Sequence, residues 1–223
     1  PTGDDLPHLL AYCDRLLERH ETTTATRIWN SMVTSGMIEY QTLTPGEGIV
    51  LTNGSFQTMP RSRGFDWRIP LVVGVTASRE ERPTALRLTF SGNQPEQCEV
   101  LWQYLPLLAA KGYRLEFEYE TAGIGPETGL RWEIIDLTNA PVRLAESSSL
   151  SAETWTHGEF KFQTPSRLTA ARLVLAYRRA LGTTRVIGRI YLRRIALKAV
   201  SETVFLRRED CDDRYPQPRL AAA

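Results

Sequence analysis

The stretch YRLEFEY, from Tyr113 to Tyr119, decides the fold class of this chain. Aromatic or aliphatic residues occupy every second position, and arginine or glutamate occupies each position between them. Successive side chains of a β-strand point to opposite faces, so this pattern places all the apolar side chains on one face. The stretch therefore predicts a strand with one face in a core and the other in water.

Further apolar runs, separated by clusters of Gly, Pro, Asn and Ser, extend this pattern from about Ile49 onward. They are Val72–Thr76, Ala85–Phe90, Val100–Leu105, Leu130–Leu137, Val142–Glu146, Glu159–Gln163, Ala171–Tyr177 and Val186–Leu197. Around ten strands without helical crossovers predict an antiparallel sandwich or barrel rather than an α/β fold. In the last run the apolar parity changes after Leu192, which predicts a bulge near Arg193 and Arg194.

Before Thr44 the apolar residues follow helical spacing instead. One amphipathic stripe lies between Leu6 and Leu17, and a second lies between Ile28 and Val33 after a threonine-rich break. These stripes predict a helical hairpin. The predicted helix ends are set by Asp4 or Asp5 before the first helix, Thr22 to Thr24 before the second, and Gly36 after the second.

These patterns divide the chain into three predicted parts: a helical hairpin over 1–44, a β-domain over 45–200 and a polar tail over 201–223. The chain starts with Pro1 rather than Met, so we expect it to be a piece of a longer protein. No apolar stretch approaches the length of about eighteen residues that a membrane span needs. The sequence therefore predicts no span in this fragment.

Charge and motif content narrow the functional classes. The 223 residues carry 27 Lys and Arg against 26 Asp and Glu, a net charge of +1, which argues against nucleic acid as a partner. No Gly-x-Ser-x-Gly elbow, His-Glu-x-x-His, phosphate loop or Gly-x-Gly-x-x-Gly is present. Cys13, Cys98 and Cys211 lack zinc-site spacing and are predicted to be buried free thiols. We expect no enzyme, no cofactor and no metal.

Three short motifs, in order, carry a family resemblance: LTNGSF over Leu51–Phe56, GFDW over Gly64–Trp67, and GRIYL over Gly188–Leu192. Together they resemble the carbohydrate-binding-module families 4 and 9 of the galactose-binding-like jelly roll. The resemblance implies an antiparallel jelly-roll β-sandwich, opening on a strand with the Asn-Gly turn. The helical hairpin resembles the end of a tetratricopeptide-like repeat array.

The chain departs from that family at a calcium site. Many family members bind a structural calcium with an acidic residue after the Asn-Gly turn and an aspartate near the end of the closing strand. Gln57 and Arg193 occupy those places here. Calcium takes about six to eight oxygen ligands and favours carboxylates, so an amide and a cation predict that no calcium binds.

Sugar recognition uses flat aromatic faces beside planar polar groups, and that chemistry selects the candidate residues. The predicted ligand-binding residues are Asp66, Trp67, Arg68, Gln103, Arg131, Glu133 and Trp155. Competing interpretations stay open: Trp67 buried beside Phe65, Trp155 packed over a turn, and the polar strand faces simply solvated. Parity favours the core for Trp29, Trp102 and Trp132. A local basic excess, which could meet an acidic polysaccharide or solvent, comprises Arg172, Arg178, Arg179, Arg185, Arg189, Arg193 and Arg194.

The predicted function is a non-catalytic carbohydrate-binding module of a larger bacterial cell-envelope or secreted protein, periplasmic or extracellular, with an oligo- or polysaccharide as partner. The alternative is a structural or protein-interaction module that has lost sugar binding and meets a protein partner through the helical hairpin. The two differ in their surfaces. A binding module should expose Trp67, Trp155, Tyr177 or Tyr191 in a concave cleft.

Overall fold

The computed structural model of the protein describes residues 5–200, which form two helices followed by nine strands. The helices are α1, Leu6–Glu18, and α2, Thr22–Thr34. The strands are β1, Val75–Glu81; β2, Thr84–Ser91; β3, Gln97–Leu105; β4, Gly112–Ala122; β5, Leu130–Asp136; β6, Val142–Glu146; β7, Thr156–Gln163; β8, Ala171–Arg178; and β9, Ile187–Ala199. Asp4, Cys211 and the predicted tail lie outside the described residues.

The strands form two antiparallel sheets that pack face to face. One has five strands in the order β1-β2-β9-β4-β7, and the other has four in the order β3-β8-β5-β6. Within β4, buried and half-buried residues alternate from Gly112 to Thr121, as the pattern of Tyr113–Tyr119 predicts. The predicted jelly-roll sandwich is confirmed.

The opening segment differs from the strand that the family resemblance implies. No named strand lies between Ile49 and Phe56; Ile49 makes only an isolated bridge to Thr44. The turn nevertheless docks on the sandwich, because the carbonyl of Gly54 accepts a hydrogen bond from the amide of Ile195 at 2.8 Å. The first predicted run, Val72–Thr76, is also displaced, since β1 begins only at Val75.

The space between the sheets is filled by apolar side chains with an aromatic chain at its centre. The ring of Trp67 lies 5.7 Å from that of Phe56 and 5.8 Å from that of Trp132, which lies 6.0 Å from Phe117. All four side chains are buried. Burying each large apolar side chain stabilises the fold by about 1.5–3 kcal/mol, so these four aromatic side chains are a major part of the core.

Two bulges re-aim side chains. In β9, the register with β4 shifts between Glu116 and Glu118, and Arg194 has a φ of 50°, so the predicted bulge is confirmed.

In β3, the register with β8 shifts between Glu99 and Leu101. As a result Gln103 points into the sandwich and is fully buried, whereas Trp102 points outward. The expectation that parity keeps Trp102 in the core is wrong because the bulge reverses the parity.

The helical pair packs on loops of the sandwich. Trp29 of α2 is fully buried, as predicted, and its ring lies 5.3 Å from that of Tyr40 and 6.0 Å from that of Phe65. The sandwich thus supplies part of the core that covers the helices. The tetratricopeptide-like resemblance stays a prediction. Neither helix of the described chain is long and apolar enough to cross a membrane.

One predicted helix cap is wrong. Glu21, not a threonine, holds the N-cap position of α2, and the hydroxyl of Thr22 instead donates to the carbonyl of Thr169 at 2.8 Å. This bond ties the helix to the sandwich. The C-terminal end is as predicted, because Gly36 follows the helix with a φ of 71°, a conformation that glycine adopts without strain.

Candidate functional site

The structure distributes the predicted ligand-binding residues over three places. Inside the protein lie Asp66, Trp67 and Gln103; on the outer face of the four-stranded sheet and its edge lie Arg68, Arg131 and Glu133; Trp155 contacts the five-stranded sheet. Only the middle group shares a face. The candidate site is therefore built around that face.

Trp67 is a core residue. Its side chain is 0% exposed, and its indole Nε1 donates to the carbonyl of Asn53 at 3.2 Å. A ring enclosed in this way offers no face to a sugar, so the assignment of Trp67 to the ligand site is corrected. Tyr177 is also fully buried, whereas Trp155 and Tyr191 are half-buried.

Asp66 stabilises the loop before β1, and its assignment to the ligand site is corrected. It is fully buried and accepts hydrogen bonds from the Tyr40 hydroxyl at 2.8 Å and from the backbone amides of Arg61 at 2.6 Å and Trp67 at 2.8 Å. Asn53 donates to it as well, at 3.3 Å. Burial, and then the charge of Asp66, raise the pKa of Tyr40 to about 12, so the phenol stays a hydrogen-bond donor.

Gln103 also has an internal role. Its side-chain nitrogen donates to the carbonyl and hydroxyl of Thr52, both at 3.1 Å, and its oxygen accepts from the Thr52 amide at 3.3 Å. A buried amide must satisfy its polar atoms, and one residue of the opening segment does so. Gln103 is therefore not part of the ligand site, because the bulge in β3 turns its side chain inward.

A shallow cavity of about 310 Å³ opens on the outer face of the four-stranded sheet. We call it the arginine cavity; it is lined by Glu99, Glu133, Ile135, Pro141, Arg143, Arg172 and Arg178. The strand register brings these residues together, since Ile135 of β5 lies opposite Arg172 of β8 on one side and Arg143 of β6 on the other. All four strands of the sheet contribute to the lining.

Glu133 is the charged anchor of the cavity. Its side chain is 0% exposed, and both oxygens accept from Arg178: Nε to Oε1 and Nη2 to Oε2, each at 2.7 Å. Arg143 Nη1 adds a third bond to Oε1 at 3.2 Å. Burial alone would raise the pKa of Glu133, but the hydrogen bonds and charges of the two arginines outweigh burial and hold this pKa below its usual value.

Arg172 forms a second side of the cavity. Its Nη2 donates to Glu99 at 3.2 Å, and its guanidinium carbon lies 4.7 Å from the centroid of the Trp102 ring. The guanidinium carbon of Arg68 lies at the same distance from that ring and 4.9 Å from the Tyr104 ring. Trp102 is half-buried and packs against both guanidinium groups beside the cavity, which it does not line.

Arg68 reaches Trp102 because its segment adds to the edge of β3. The backbones of Arg68 and Trp102 exchange two hydrogen bonds, at 2.7 and 3.0 Å. Nη2 of Arg68 donates to Asp14 of α1 at 2.6 Å, and Nη1 donates to the Gly64 carbonyl at 2.7 Å. The helical pair therefore holds Arg68 against Trp102, beside the cavity.

Arg131 lies next to the cavity and does not line it. It pairs with Glu146 at 3.1 Å, and Arg143 pairs with the same carboxylate at 2.6 Å. Glu99 and Arg143 were not among the predicted site residues. The outward parity of their strands was the only signal for them, and any solvated sheet face gives the same signal.

Chemically, the cavity presents guanidinium N–H groups around a carboxylate that is already ionised and engaged. Such a lining orients a ligand through hydrogen bonds. That the domain is not an enzyme stays a prediction.

Trp155 belongs to the other side of the sandwich. The guanidinium carbon of Arg193 lies 3.9 Å from its ring centroid, and Arg193 Nε donates to Glu118 of β4 at 2.7 Å. The basic residues predicted near the C-terminal strands are also divided, since Arg172 and Arg178 line the cavity while Arg193 lies on the five-stranded sheet. That calcium does not bind stays a prediction. At the place of the family's calcium-binding aspartate, Arg193 contacts the carboxylate of Glu118 and the ring of Trp155.

The β-sandwich is similar to solved carbohydrate-binding modules. A CBM4 structure matches with a TM-score of 0.50 and 15% identity over 66% of this chain and 98% of that chain. A family 16 module (TM-score 0.47, 16% identity, 65% and 96% covered) and the CBM22-1 xylan-binding domain from Paenibacillus barcinonensis (0.46, 12%, 70% and 97%) are also similar. Comparisons with protein-family models and with curated proteins find no match. The chain thus has the jelly-roll β-sandwich fold seen in carbohydrate-binding modules.

Proposed function

We propose that this domain binds an oligo- or polysaccharide in the arginine cavity without catalysing a reaction on it. One observation carries the proposal: a cavity on an open sheet face presents planar guanidinium groups that ion pairs hold in place. Fixed planar donors suit the hydroxyls of a sugar.

The wider setting is part of the same proposal. A module of this kind holds a larger protein at a glycan. We therefore place that larger protein in the bacterial cell envelope or among secreted proteins, in the periplasm or outside the cell. The fold shared with a CBM4 structure supports a sugar as ligand, although one fold hosts many functions.

A glycan array covering neutral and acidic saccharides, followed by calorimetry on the best ligand, tests the proposal. We expect saturable binding that Arg143→Ala weakens at least about tenfold, because Arg143 lines the cavity and is accessible to a ligand. Arg87→Ala is the matched control: Arg87 pairs with Glu80 at 3.0 Å on the five-stranded sheet. Equal affinities of both variants, or no saturable binding on any glycan, would overturn the proposal.

A second candidate function is a protein-interaction module without sugar binding. The burial of Trp67 and Tyr177 favours it, as does the exposure of Tyr12 on α1, at 42%. An empty glycan array would favour this candidate, provided that Tyr12→Asp abolishes binding of a protein partner that the wild type retains. The glycan array thus tests the first function, and Tyr12→Asp with a protein partner tests the second.

A further inference from the structure

We infer that the arginine cavity selects saccharides with an anionic substituent, a carboxylate or a sulfate, over their neutral counterparts. This inference rests on the proposed function and specifies its ligand class. It follows from a count of donors and acceptors in the lining, from the local charge and from the burial of Glu133.

The cavity has many more hydrogen-bond donors than acceptors. Each guanidinium carries five N–H donors and no acceptor. Arg178 directs two N–H groups to Glu133, and Arg172 directs one to Glu99. Arg143 uses a single nitrogen, Nη1, for both of its carboxylate partners. In the part of the chain that the structure describes, the other N–H groups of these three side chains have no acceptor, and all of them except the buried Arg172 Nε remain as donors for a ligand.

Acceptors for a ligand are scarce by comparison. Glu133 is fully enclosed, and three N–H bonds already occupy its two oxygens. Among the described side chains that line the cavity, this leaves Glu99, whose side chain is 33% exposed and already paired with Arg172. A neutral sugar hydroxyl brings a hydrogen that needs an acceptor, whereas a carboxylate or sulfate only accepts. The lining therefore matches a group that only accepts.

The local charge points the same way. Three arginines and two glutamates line the cavity, an excess of one positive charge. The charge of Glu133 is neutralised below the surface by the bidentate bond from Arg178, and Arg143 stands above it with 46% of its side chain exposed. An anionic group at the mouth of the cavity would thus meet the exposed guanidinium of Arg143 and, beside it, the less exposed guanidinium of Arg172, whose side chain is 18% exposed. Guanidinium groups form charge-assisted hydrogen bonds with carboxylate and sulfate oxygens.

Matched ligand pairs test this inference. The first pair is an oligomer of galacturonic acid and its carboxyl-reduced galactose form; the second is a sulfated galactan oligomer and its desulfated form. We expect the charged member of at least one pair to bind about tenfold more tightly in calorimetry at low salt, and the difference to shrink at high salt. The pair that shows the preference identifies the anion.

Matched variants assign the preference to the cavity. Arg143→Gln and Arg172→Gln should each reduce the preference for the charged member, whereas Arg87→Gln, which removes an equivalent charge from the opposite sheet, should leave it unchanged. Unfolding temperatures of all three variants show whether the fold is kept. Arg143 is the more exposed of the two cavity residues, so its variant provides the test if Arg172→Gln fails to fold.

The outcomes separate this inference from the proposed function. Equal affinity for both members of each pair would overturn the inference and leave saccharide binding standing. A preference for the charged member that survives in Arg143→Gln and in a folded Arg172→Gln would also overturn it, because the selecting group would then lie elsewhere. No binding to any glycan would overturn both.

Discussion

Asp14 of α1 and Arg68 at the edge of β3 form an ion pair of 2.6 Å in which both side chains are only 13% exposed. The same carboxylate accepts from the amide of Gly64 at 2.7 Å and from Arg63 at 3.0 Å. Through Arg68, which stacks on Trp102, this pair connects the helices to the sheet face beside the arginine cavity.

We predict that Asp14→Asn lowers the free energy of unfolding by about 2–3 kcal/mol, because it leaves the guanidinium of Arg68 largely buried without its counter-charge. Urea unfolding measures the loss. Arg63→Ala is the control: its side chain is 57% exposed, so losing its bond to Asp14 should cost less than about 1 kcal/mol. Similar losses in both variants would contradict the expectation that the buried Asp14–Arg68 pair contributes more to stability than the exposed Asp14–Arg63 pair.

A second prediction concerns acid stability. The pKa of Glu133 is lower in the folded protein than its ordinary value of 4.5, so the unfolded chain binds more protons than the folded one at acid pH. This contribution to stability is complete above about pH 4.5 and is lost as the pH falls through the folded pKa. Glu116 and Glu118 contribute in the same direction, because their pKa values are also lowered.

Glu133→Gln should therefore reduce, without abolishing, the fall in unfolding free energy between neutral pH and about pH 3. Urea titrations at several pH values measure this slope. Glu153→Gln, which removes an exposed carboxylate from the loop before β7, is the variant with which the slope of Glu133→Gln is compared. An identical slope in wild type and Glu133→Gln would show that the ion pair does not persist in solution.

The Asn-Gly turn supplies a third prediction. A Cβ at Gly54 would overlap the carbonyl oxygen of Ile195, a backbone atom that cannot move without disturbing β9. Gly54→Ala should thus lower the unfolding free energy by about 2–4 kcal/mol. Gly46→Ala is the matched control, since nothing lies within 4 Å of its Cβ position, and thermal unfolding of the two variants should separate them clearly. Equal unfolding temperatures would refute the close approach.

The fourth prediction concerns Cys13, which is buried as expected, whereas Cys98 is only half-buried. Burial, then the charge of Asp14, raise the pKa of the Cys13 thiol to about 12, against the opposing charge of Arg68. Since the thiolate is the reactive form, Cys13 should resist thiol reagents at about pH 8 until the protein unfolds.

A variant with Cys98→Ser and Cys211→Ser leaves Cys13 as the only thiol, so that reaction with a chromogenic disulfide reports on it alone. We expect the reaction to follow global unfolding in urea. Labelling of the native protein at the rate of a free thiol would contradict this burial. Full labelling in denaturant would show that the Cys13 thiol reacts with the reagent once it is exposed.

The fold was predictable to the extent that its signals are local. The alternation over Tyr113–Tyr119 predicts a half-buried strand because parity depends only on neighbouring residues. The bulge in β3 depends on its partner β8, so parity alone puts Trp102 and Gln103 on the wrong faces. In the same way Arg178 reaches Glu133 across 45 residues, a pairing that only the strand order reveals.

The bulge between Glu99 and Leu101 has a consequence for how such a surface can change. Deleting Val100 would remove the extra residue and leave Leu101, Trp102 and Gln103 opposite the same residues of β8, so Trp102 would stay outward and Gln103 inward. Loss of a single codon would then straighten β3 while the side chains keep their faces and every connecting loop keeps its length. Descendants of this domain could therefore lose the bulge through one deletion inside a strand and retain the residues that face the cavity.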